Sequence, residues 1–143
     1  MEIAFEEAEA AAARGEVPVG AVLTNQAGEI IARAGNRTRE LNDPSAHAEV
    51  LVIRAACAAL GSERLPDHNL YVTLEPCAMC AATISFARIA RLYYGAGDEK
   101  MGGVENGGRF FGQPTCHHAP EVYEGIGEAR AADMLKKFFK KRR

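Results

Sequence analysis

The chain lacks tryptophan, and only 7% of its 143 residues are aromatic. It lacks an apolar run of the about 20 residues that a membrane-spanning helix needs, so we expect no membrane partner. Its start also lacks a basic segment followed by an apolar one, the pattern of a secretory signal. Because only four cysteines are present and no such signal precedes them, we expect a cytoplasmic protein whose thiols bind metal rather than form disulfides.

The net charge is only −2, but it is unevenly distributed. Six of the 17 Lys and Arg residues lie within 136–143, whereas all 19 Asp and Glu residues lie before residue 136. A basic tail on an acidic body suits attraction to phosphate groups. The alternative is a solvated helix end that increases solubility. The length and the hydrophobic content of 48% are typical of one soluble domain, which we predict over 1–143.

Residues 45–49 (SAHAE) and 75–80 (EPCAMC) contain the residue types of a mononuclear zinc site. Zinc accepts imidazole and thiolate ligands, so His47, Cys77 and Cys80 are the predicted ligands of one Zn2+ ion per chain. A site with three protein ligands leaves a fourth position for water, and zinc lowers the pKa of that water from about 15.7 to about 7. The pattern therefore predicts a catalytic zinc ion that supplies hydroxide at neutral pH.

Glu49 follows the predicted histidine ligand by two residues and is not needed as a ligand itself. A carboxylate beside the metal can take a proton from the water and return it to a leaving group. The alternative is a structural zinc knot, but such a site usually has four protein ligands and has no use for Glu49. We therefore predict Glu49 as the general acid and base.

The spacing of these residues predicts that both segments lie at helix starts. Pro76 suits the first position of a helix, which would put the two cysteines in its opening turn and on one face. In a regular helix, the side chains of residues i and i+2 point in directions that differ by about 200°. His47 and Glu49 can therefore converge only where a helix begins. Ser45 as N-cap would place that start before His47.

Apolar periodicity and turn residues predict four helices and five strands. In chain order they are helix 3–14, strands 17–24 and 29–34, helix 46–60, strand 70–74, helix 77–86, strands 89–94 and 121–123, and helix 128–141. The first two strands should form a hairpin. The following alternation of helix and strand implies parallel pairing, so both zinc-binding segments should emerge at one edge of the sheet.

The composition of individual segments adds further expectations. Helix 46–60 is apolar nearly all round, so we expect it to be buried, with Cys57 as a core residue. Residues 95–112 contain 7 glycines in 18 positions, which predicts a flexible recognition loop, anchored to the core by Phe110 and Phe111.

Cys116, His117 and His118 form a separate group of metal-binding residue types. A second metal site is one interpretation, but adjacent side chains rarely converge on one ion, and no partner Cys pair follows. We therefore expect the two histidines to lie at the rim of the site.

The His-x-Glu pattern followed by Pro-Cys-x-x-Cys is the signature of the zinc-dependent cytidine deaminase superfamily. Further stretches are similar to the bacterial tRNA-specific adenosine deaminases: 16–22 (EVPVGAV), 35–37 (GNR), 73–80 (TLEPCAMC) and 95–100 (GAGDEK). The resemblance extends over nearly the whole chain. It implies a three-layer α/β/α fold with a five-stranded mixed sheet, and hydrolytic deamination of adenosine to inosine at the wobble position of a tRNA anticodon.

The resemblance also implies the residues that bind substrate. Val19 and Leu74 would wall the base, and Ala48 would contribute its backbone N–H. Asn36 can donate and accept hydrogen bonds, as a purine edge or a ribose requires, although an Asn after Gly is more often a turn residue. The family resemblance favours a contact with the target nucleoside.

The remaining implied contacts are with RNA beyond the base. Asp98 and Lys100 would lie near the RNA backbone at the entrance, for which a solvated turn is the alternative. The end of the last helix, with Phe139 and Arg142, would approach the anticodon stem-loop, and two copies of the chain would form a homodimer. At 115–118 the chain departs from the Asn-His-Arg-like sequence common in the family, so contacts with flanking nucleotides are not carried over.

Two other functions fit the same motifs. A guanine deaminase, or a deaminase of free nucleosides, shares the zinc signature, although free cytidine deaminases usually have Cys where His47 stands. The basic tail and the run at 95–100 favour tRNA. An inactive, zinc-stabilised RNA-binding module is the second alternative, and the presence of Glu49 argues against it.

Overall fold

A computed structural model provides the structure of the chain and describes residues 1–142. Arg143, the last residue of the predicted basic tail, lies outside the described residues. The elements are α1 (Glu2–Ala13), β1 (Gly20–Thr24), β2 (Ile30–Gly35), α2 (Ala48–Leu60), β3 (Asn69–Leu74), α3 (Ala78–Phe86), β4 (Arg91–Ala96), a 3-10 turn (Phe110–Gly112), β5 (Glu121–Tyr123) and α4 (Glu128–Lys141). No helix within residues 1–142 is long and apolar enough to cross a membrane.

The five strands form one mixed sheet in the order β2-β1-β3-β4-β5. Strand β1 pairs antiparallel with β2 and with β3, whereas β3, β4 and β5 pair in parallel. Helices α1 and α4 contact one face of the sheet, and α2 and α3 pack against the other. The predicted α/β/α architecture, the hairpin and the parallel pairing are confirmed.

Strand β1 begins at Gly20, three residues later than the apolar run predicted. Pro18 has no N–H to donate to a sheet, and the N–H of Val19 donates to the carbonyl of Val17 at 2.8 Å in a tight turn. The segment before Gly20 is thus a turn that leads into the sheet.

Helix α1 lies unusually close to the sheet at Gly20. A Cβ atom there would overlap the carbonyl oxygen of Ala4 and lie 2.6 Å from the backbone nitrogen of Ala8. The predicted apolar face of the helix supplies only small side chains at this contact, because Ala4, Ala8 and Ala11 are all buried. Glycine in the strand and alanine in the helix together permit this approach.

Helix α2 is buried only on the face that covers the sheet. Val52, Ile53 and Ala56 pack in the core, whereas Ala55 and Ala58 on the opposite side are exposed. The prediction that this helix is buried on all sides is therefore wrong, because one side of α2 has no covering layer within the described chain. Cys57 packs against the core cluster and is half-buried, as expected for a core-edge residue.

Candidate metal centre and catalytic cavity

One cluster of metal-ligating side chains occurs among residues 1–142, and it consists of His47, Cys77 and Cys80. The Nδ1 atom of His47 lies 3.5 Å from the sulfur of Cys80 and 3.7 Å from that of Cys77. Zinc bonds of about 2.3 Å to sulfur and about 2.0 Å to nitrogen, at a tetrahedral angle, put these atoms about 3.5 Å apart. The three residues therefore fit zinc in both donor type and spacing.

His47 and Cys77 are each the N-cap of a helix, with extended backbone, and this brings them together. His47 has φ −73° and ψ 152° before α2, and Cys77 has φ −71° and ψ 174° before α3. The predicted N-cap Ser45 is wrong, because α2 begins at Ala48 and His47 is its N-cap; the N–H and the hydroxyl of Ser45 donate to Asp43. Pro76 likewise precedes the N-cap rather than opening the helix.

Hydrogen bonds within the cluster favour a thiolate on Cys77. A hydrogen bond from the Cys80 thiol lowers the pKa of Cys77, and His47 adds to this effect. The same interaction, with burial, raises the pKa of Cys80, and the hydrogen bond to Cys77 raises that of His47. The cluster thus holds protons that a bound metal would displace.

Glu49 lies in the first turn of α2, two residues after the N-cap His47, and it lines the same cavity as His47 and Cys77, which is described next. Glu49 is 3% exposed as a residue. Burial raises the pKa of Glu49 above its ordinary value. A raised pKa brings a carboxyl group closer to neutral pH, which suits a general acid and base.

A cavity of about 580 Å³ opens beside His47, Cys77 and Glu49. Six of the residues that the resemblance associates with substrate line it: Val19, Asn36, Leu74, Asp98, Lys100 and Phe139. Sequence reasoning missed Thr38, Glu75 and Leu135, which also line it. The cavity lies where the predicted edge of the sheet meets the loops after β2 and β4.

Asn36 is held in one orientation by a backbone amide. The N–H of Ala48 donates to Asn36 Oδ1 at 2.8 Å. The Nδ2 group has no hydrogen-bond partner among residues 1–142, so it is available to a ligand in the cavity. A direct contact between the Ala48 amide and substrate stays a prediction, and the structure gives this amide the further role of orienting Asn36.

Of the two predicted RNA-binding residues at the end of α4, only Phe139 lines the cavity. Phe139 is 48% exposed and lies at the edge of the cavity. Arg142 is not a cavity-lining residue, and its guanidinium stacks on the ring of Phe138 with 4.4 Å between the charge centre and the ring centroid. Leu135 contacts the cavity one helical turn before Phe139.

The segment 116–118 is attached to α3 and does not line the cavity. The ring of His118 contacts the carbonyl of Ile89 through Nε2 at 2.8 Å. The hydroxyl of Ser85 and the thiol of Cys116 both donate to the His118 carbonyl, at 2.6 and 3.2 Å. His118 is thus a structural residue rather than the rim residue that was expected.

Glu75 is the main residue that sequence reasoning passed over. The residue is 2% exposed, and its carboxylate accepts five hydrogen bonds from residues 98–106. Burial alone would raise the pKa of Glu75, but these hydrogen bonds hold it below its ordinary value. An acidic residue at the end of a buried strand, followed downstream by a glycine-rich loop, was the available signal.

The comparisons with known proteins agree with this site. The family model of the cytidine and deoxycytidylate deaminase zinc-binding region matches residues 1–96, which include all three cluster residues and Glu49. This chain belongs to that deaminase family. The resemblance that the motifs indicated is confirmed.

Relatives within the deaminase family match the chain over its full length. A protein of Agrobacterium fabrum named tRNA-specific adenosine deaminase is 65% identical over 143 residues, covering 100% of this chain and 93% of its own. A solved structure from a study of A-to-I editing by tRNA:A34 deaminases is 67% identical with a TM-score of 0.93, covering 94% of this chain and 97% of that one. A guanine deaminase structure from Bacillus subtilis is 30% identical with a TM-score of 0.65, covering 99% and 90%.

Proposed function

We propose that this chain deaminates adenosine to inosine at the wobble position of a tRNA anticodon. The observation that carries the proposal is a buried carboxylate, Glu49, facing the same cavity as a three-residue metal cluster. This arrangement supports hydrolytic deamination as the reaction. The name of the Agrobacterium fabrum relative, at 65% identity over the whole chain, supports adenosine in tRNA as the substrate.

We propose that His47, Cys77 and Cys80 hold one zinc ion. A zinc ion with three protein ligands supplies a nucleophile at neutral pH by lowering the pKa of water in its open position. The distances of 3.5 and 3.7 Å between the imidazole nitrogen and the two sulfurs support this metal.

Glu49 moves the protons of the reaction. It takes one proton from the attacking water and gives it to the ring nitrogen of adenine. It then takes the remaining proton from the new hydroxyl group on C6 and gives it to the departing amine, so that the C6 carbonyl forms as ammonia leaves. Water and adenosine thus give inosine and ammonia, with no other reactant. The buried environment that raises its pKa supports both halves of this role.

The cavity supplies groups for recognition of the base. We propose that Val19 and Leu74 pack against its faces, since both are apolar and line the cavity. The Nδ2 group of Asn36 would donate to an acceptor on the purine or the ribose. A nucleotide must leave its stack to enter such a cavity, which costs a few kcal/mol and least in a loop.

The RNA around the base would contact the cavity entrance and the end of α4. Asp98, Lys100 and Phe139 all line the cavity, and Lys100 and Phe139 are exposed. Phe139 would stack on a base, and the basic residues that follow, Arg142 among them, would attract phosphates. We propose the cytoplasm, where such a substrate is found, as the compartment.

We propose that the chain forms a homodimer through the uncovered face of α2 and α3. Phe86 is 72% exposed, and Met79, two helical turns before it, is also exposed. Ala55 and Ala58 of α2 are exposed on the adjacent helix. Apolar side chains on two neighbouring helices are typical of an interface between subunits, and sedimentation of wild type against Phe86→Glu tests it.

The deciding experiment offers the zinc-loaded chain a tRNA anticodon stem-loop with adenosine at the wobble position. Free guanine and free cytidine are tested in parallel, because a guanine deaminase is among the structural neighbours. Inosine in the stem-loop alone supports the proposal. Ammonia from guanine or cytidine with unchanged RNA would overturn the substrate, and zinc-loaded protein without any turnover would favour an inactive RNA-binding module.

A further inference from the structure

The loop after β4 is organised around the buried carboxylate of Glu75. One oxygen accepts from the Asp98 N–H at 2.9 Å and from the Asn106 side chain at 2.6 Å. The other accepts from three consecutive backbone amides, those of Val104, Glu105 and Asn106, at 3.0, 2.9 and 3.0 Å. Consecutive N–H groups around one anion form a strong, geometrically defined site.

The segment between these anchors carries cavity residues. Asp98 Oδ1 accepts from the backbone amides of Lys100 and Met101, both at 3.1 Å, so the turn that follows Asp98 is closed on itself. Asp98, Lys100 and Met101 all line the cavity. The positions of these side chains therefore follow from where Glu75 holds the two ends of the loop.

Two glycines allow the loop to lie directly on this anchor. A Cβ atom on Gly102 would overlap the Glu75 carboxylate, and one on Gly103 would lie 2.6 Å from the backbone nitrogen of Ala78. The Gly103 N–H donates to the Pro76 carbonyl at 2.8 Å, and Gly102 forms an isolated β-bridge with Cys77. The glycine-rich sequence thus serves close packing, which differs from the flexible loop that its composition predicted.

We propose that Glu75 is a positioning residue that sets affinity for the RNA substrate, by holding Asp98 and Lys100 at the cavity entrance. Glu75 does not touch the reacting atoms in this role. The kinetic part of the inference rests on the proposed function, whereas its structural part concerns the loop alone.

Glu75→Gln tests the structural part without any substrate. The amide keeps one oxygen but turns an NH2 group towards amide donors, so the loop should loosen. We expect hydrogen exchange at the amides of 98 and 104–106 to accelerate by about tenfold or more, while the zinc content stays at one per chain. Unchanged exchange at these amides would overturn the inference.

Kinetics with the stem-loop test the positioning role. Glu75→Gln should raise KM about tenfold or more and change kcat by less than about threefold, because binding rather than proton transfer is affected. Lys100→Ala should raise KM in the wild-type background and change it little in the Glu75→Gln background. Lys140→Ala, on α4 and outside the loop that Glu75 holds, should have the same effect in both backgrounds.

Several outcomes would contradict the proposal. Full additivity of Glu75→Gln with Lys100→Ala would show that the two residues act independently, and loss of zinc would assign Glu75 to the metal site instead. Where Glu75→Gln does not fold, Asn106→Ala removes only one of the five donors and should raise KM in the same direction by less. Turnover of the stem-loop by the wild type reports on the proposed function separately, since loop exchange needs no RNA.

Discussion

The backbone N–H of Ala48 donates to Oδ1 of Asn36 at 2.8 Å and thereby fixes which end of the Asn36 side chain faces the cavity. Ala48 is the first residue of α2, so this N–H has no acceptor within its own helix. The start of the helix that carries Glu49 is thus also what orients a recognition residue from the loop after β2. This hydrogen bond therefore fixes the position of Asn36, the proposed base-recognition residue, relative to the helix that carries Glu49.

Asn36→Asp should impair the reaction although it preserves the bond to Ala48. The aspartate still accepts from that N–H, but it presents a second acceptor where Nδ2 was a donor. We expect kcat/KM for the stem-loop to fall about 100-fold or more, because a buried acceptor would face an acceptor on the substrate. An unchanged kcat/KM would remove Asn36 from base recognition, and thermal unfolding checks that the fold is intact.

Glu49→Gln should separate metal binding from turnover. Glutamine has nearly the same volume but cannot take up the proton of water, so kcat should fall by about 10²–10⁴. The zinc content should stay at one per chain, because Glu49 is not a ligand. Glu63→Gln, an exposed change beyond the far end of α2, is the matched control and should keep wild-type kcat.

Zinc affinity should fall as the pH is lowered. The hydrogen bond to Cys77, together with burial, raises the pKa of Cys80, so zinc must displace at least one proton at neutral pH. Each displaced proton lowers the apparent association constant about tenfold per pH unit. Competition titrations against a zinc chelator at pH 6, 7 and 8 measure this slope, and a slope of zero would contradict the predicted ligand set. His117→Ala, outside the cluster, should leave the slope unchanged.

Gly20→Ala should destabilise the fold without touching the site. The new methyl group would overlap backbone atoms of α1, which cannot move aside as a flexible side chain would. We expect a loss of about 2 kcal/mol in the free energy of unfolding, measured by denaturant titration. Gly108→Ala is the control, because a Cβ atom there meets nothing within 4 Å. Equal stability of the two variants would show that α1 is not packed as described.

Removing a positive charge from the tail should weaken RNA binding and make that binding less sensitive to salt. Lys140→Gln should lower affinity for the stem-loop and reduce the slope of log K against log salt by about 0.7–0.9 if that side chain contacts one phosphate. Arg64→Gln removes one exposed charge beyond the far end of α2 and should leave the slope unchanged. Equal slopes for the two variants would favour the alternative that the tail only increases solubility.

Much of the architecture could be predicted from local patterns. Strand β5 and helix α4 occupy the predicted ranges, and the other elements differ by one to three residues at their ends. The ends of helices and strands were less predictable, because they depend on which hydrogen-bond partners each terminal residue finds in the folded chain. Ser45 has the side chain of an N-cap, but its N–H and hydroxyl donate to Asp43, and the helix begins after His47 instead.

The sequence by itself determined the chemistry of the metal cluster, because ligand type and short spacing carry that information. His47, Cys77, Cys80 and Glu49 could be named without coordinates for that reason. Tertiary structure alone decided that Glu75 organises a loop, since its donors lie 23–31 residues away along the chain. It also decided that one face of α2 is left uncovered, because an apolar helix pattern does not specify which neighbours will cover it.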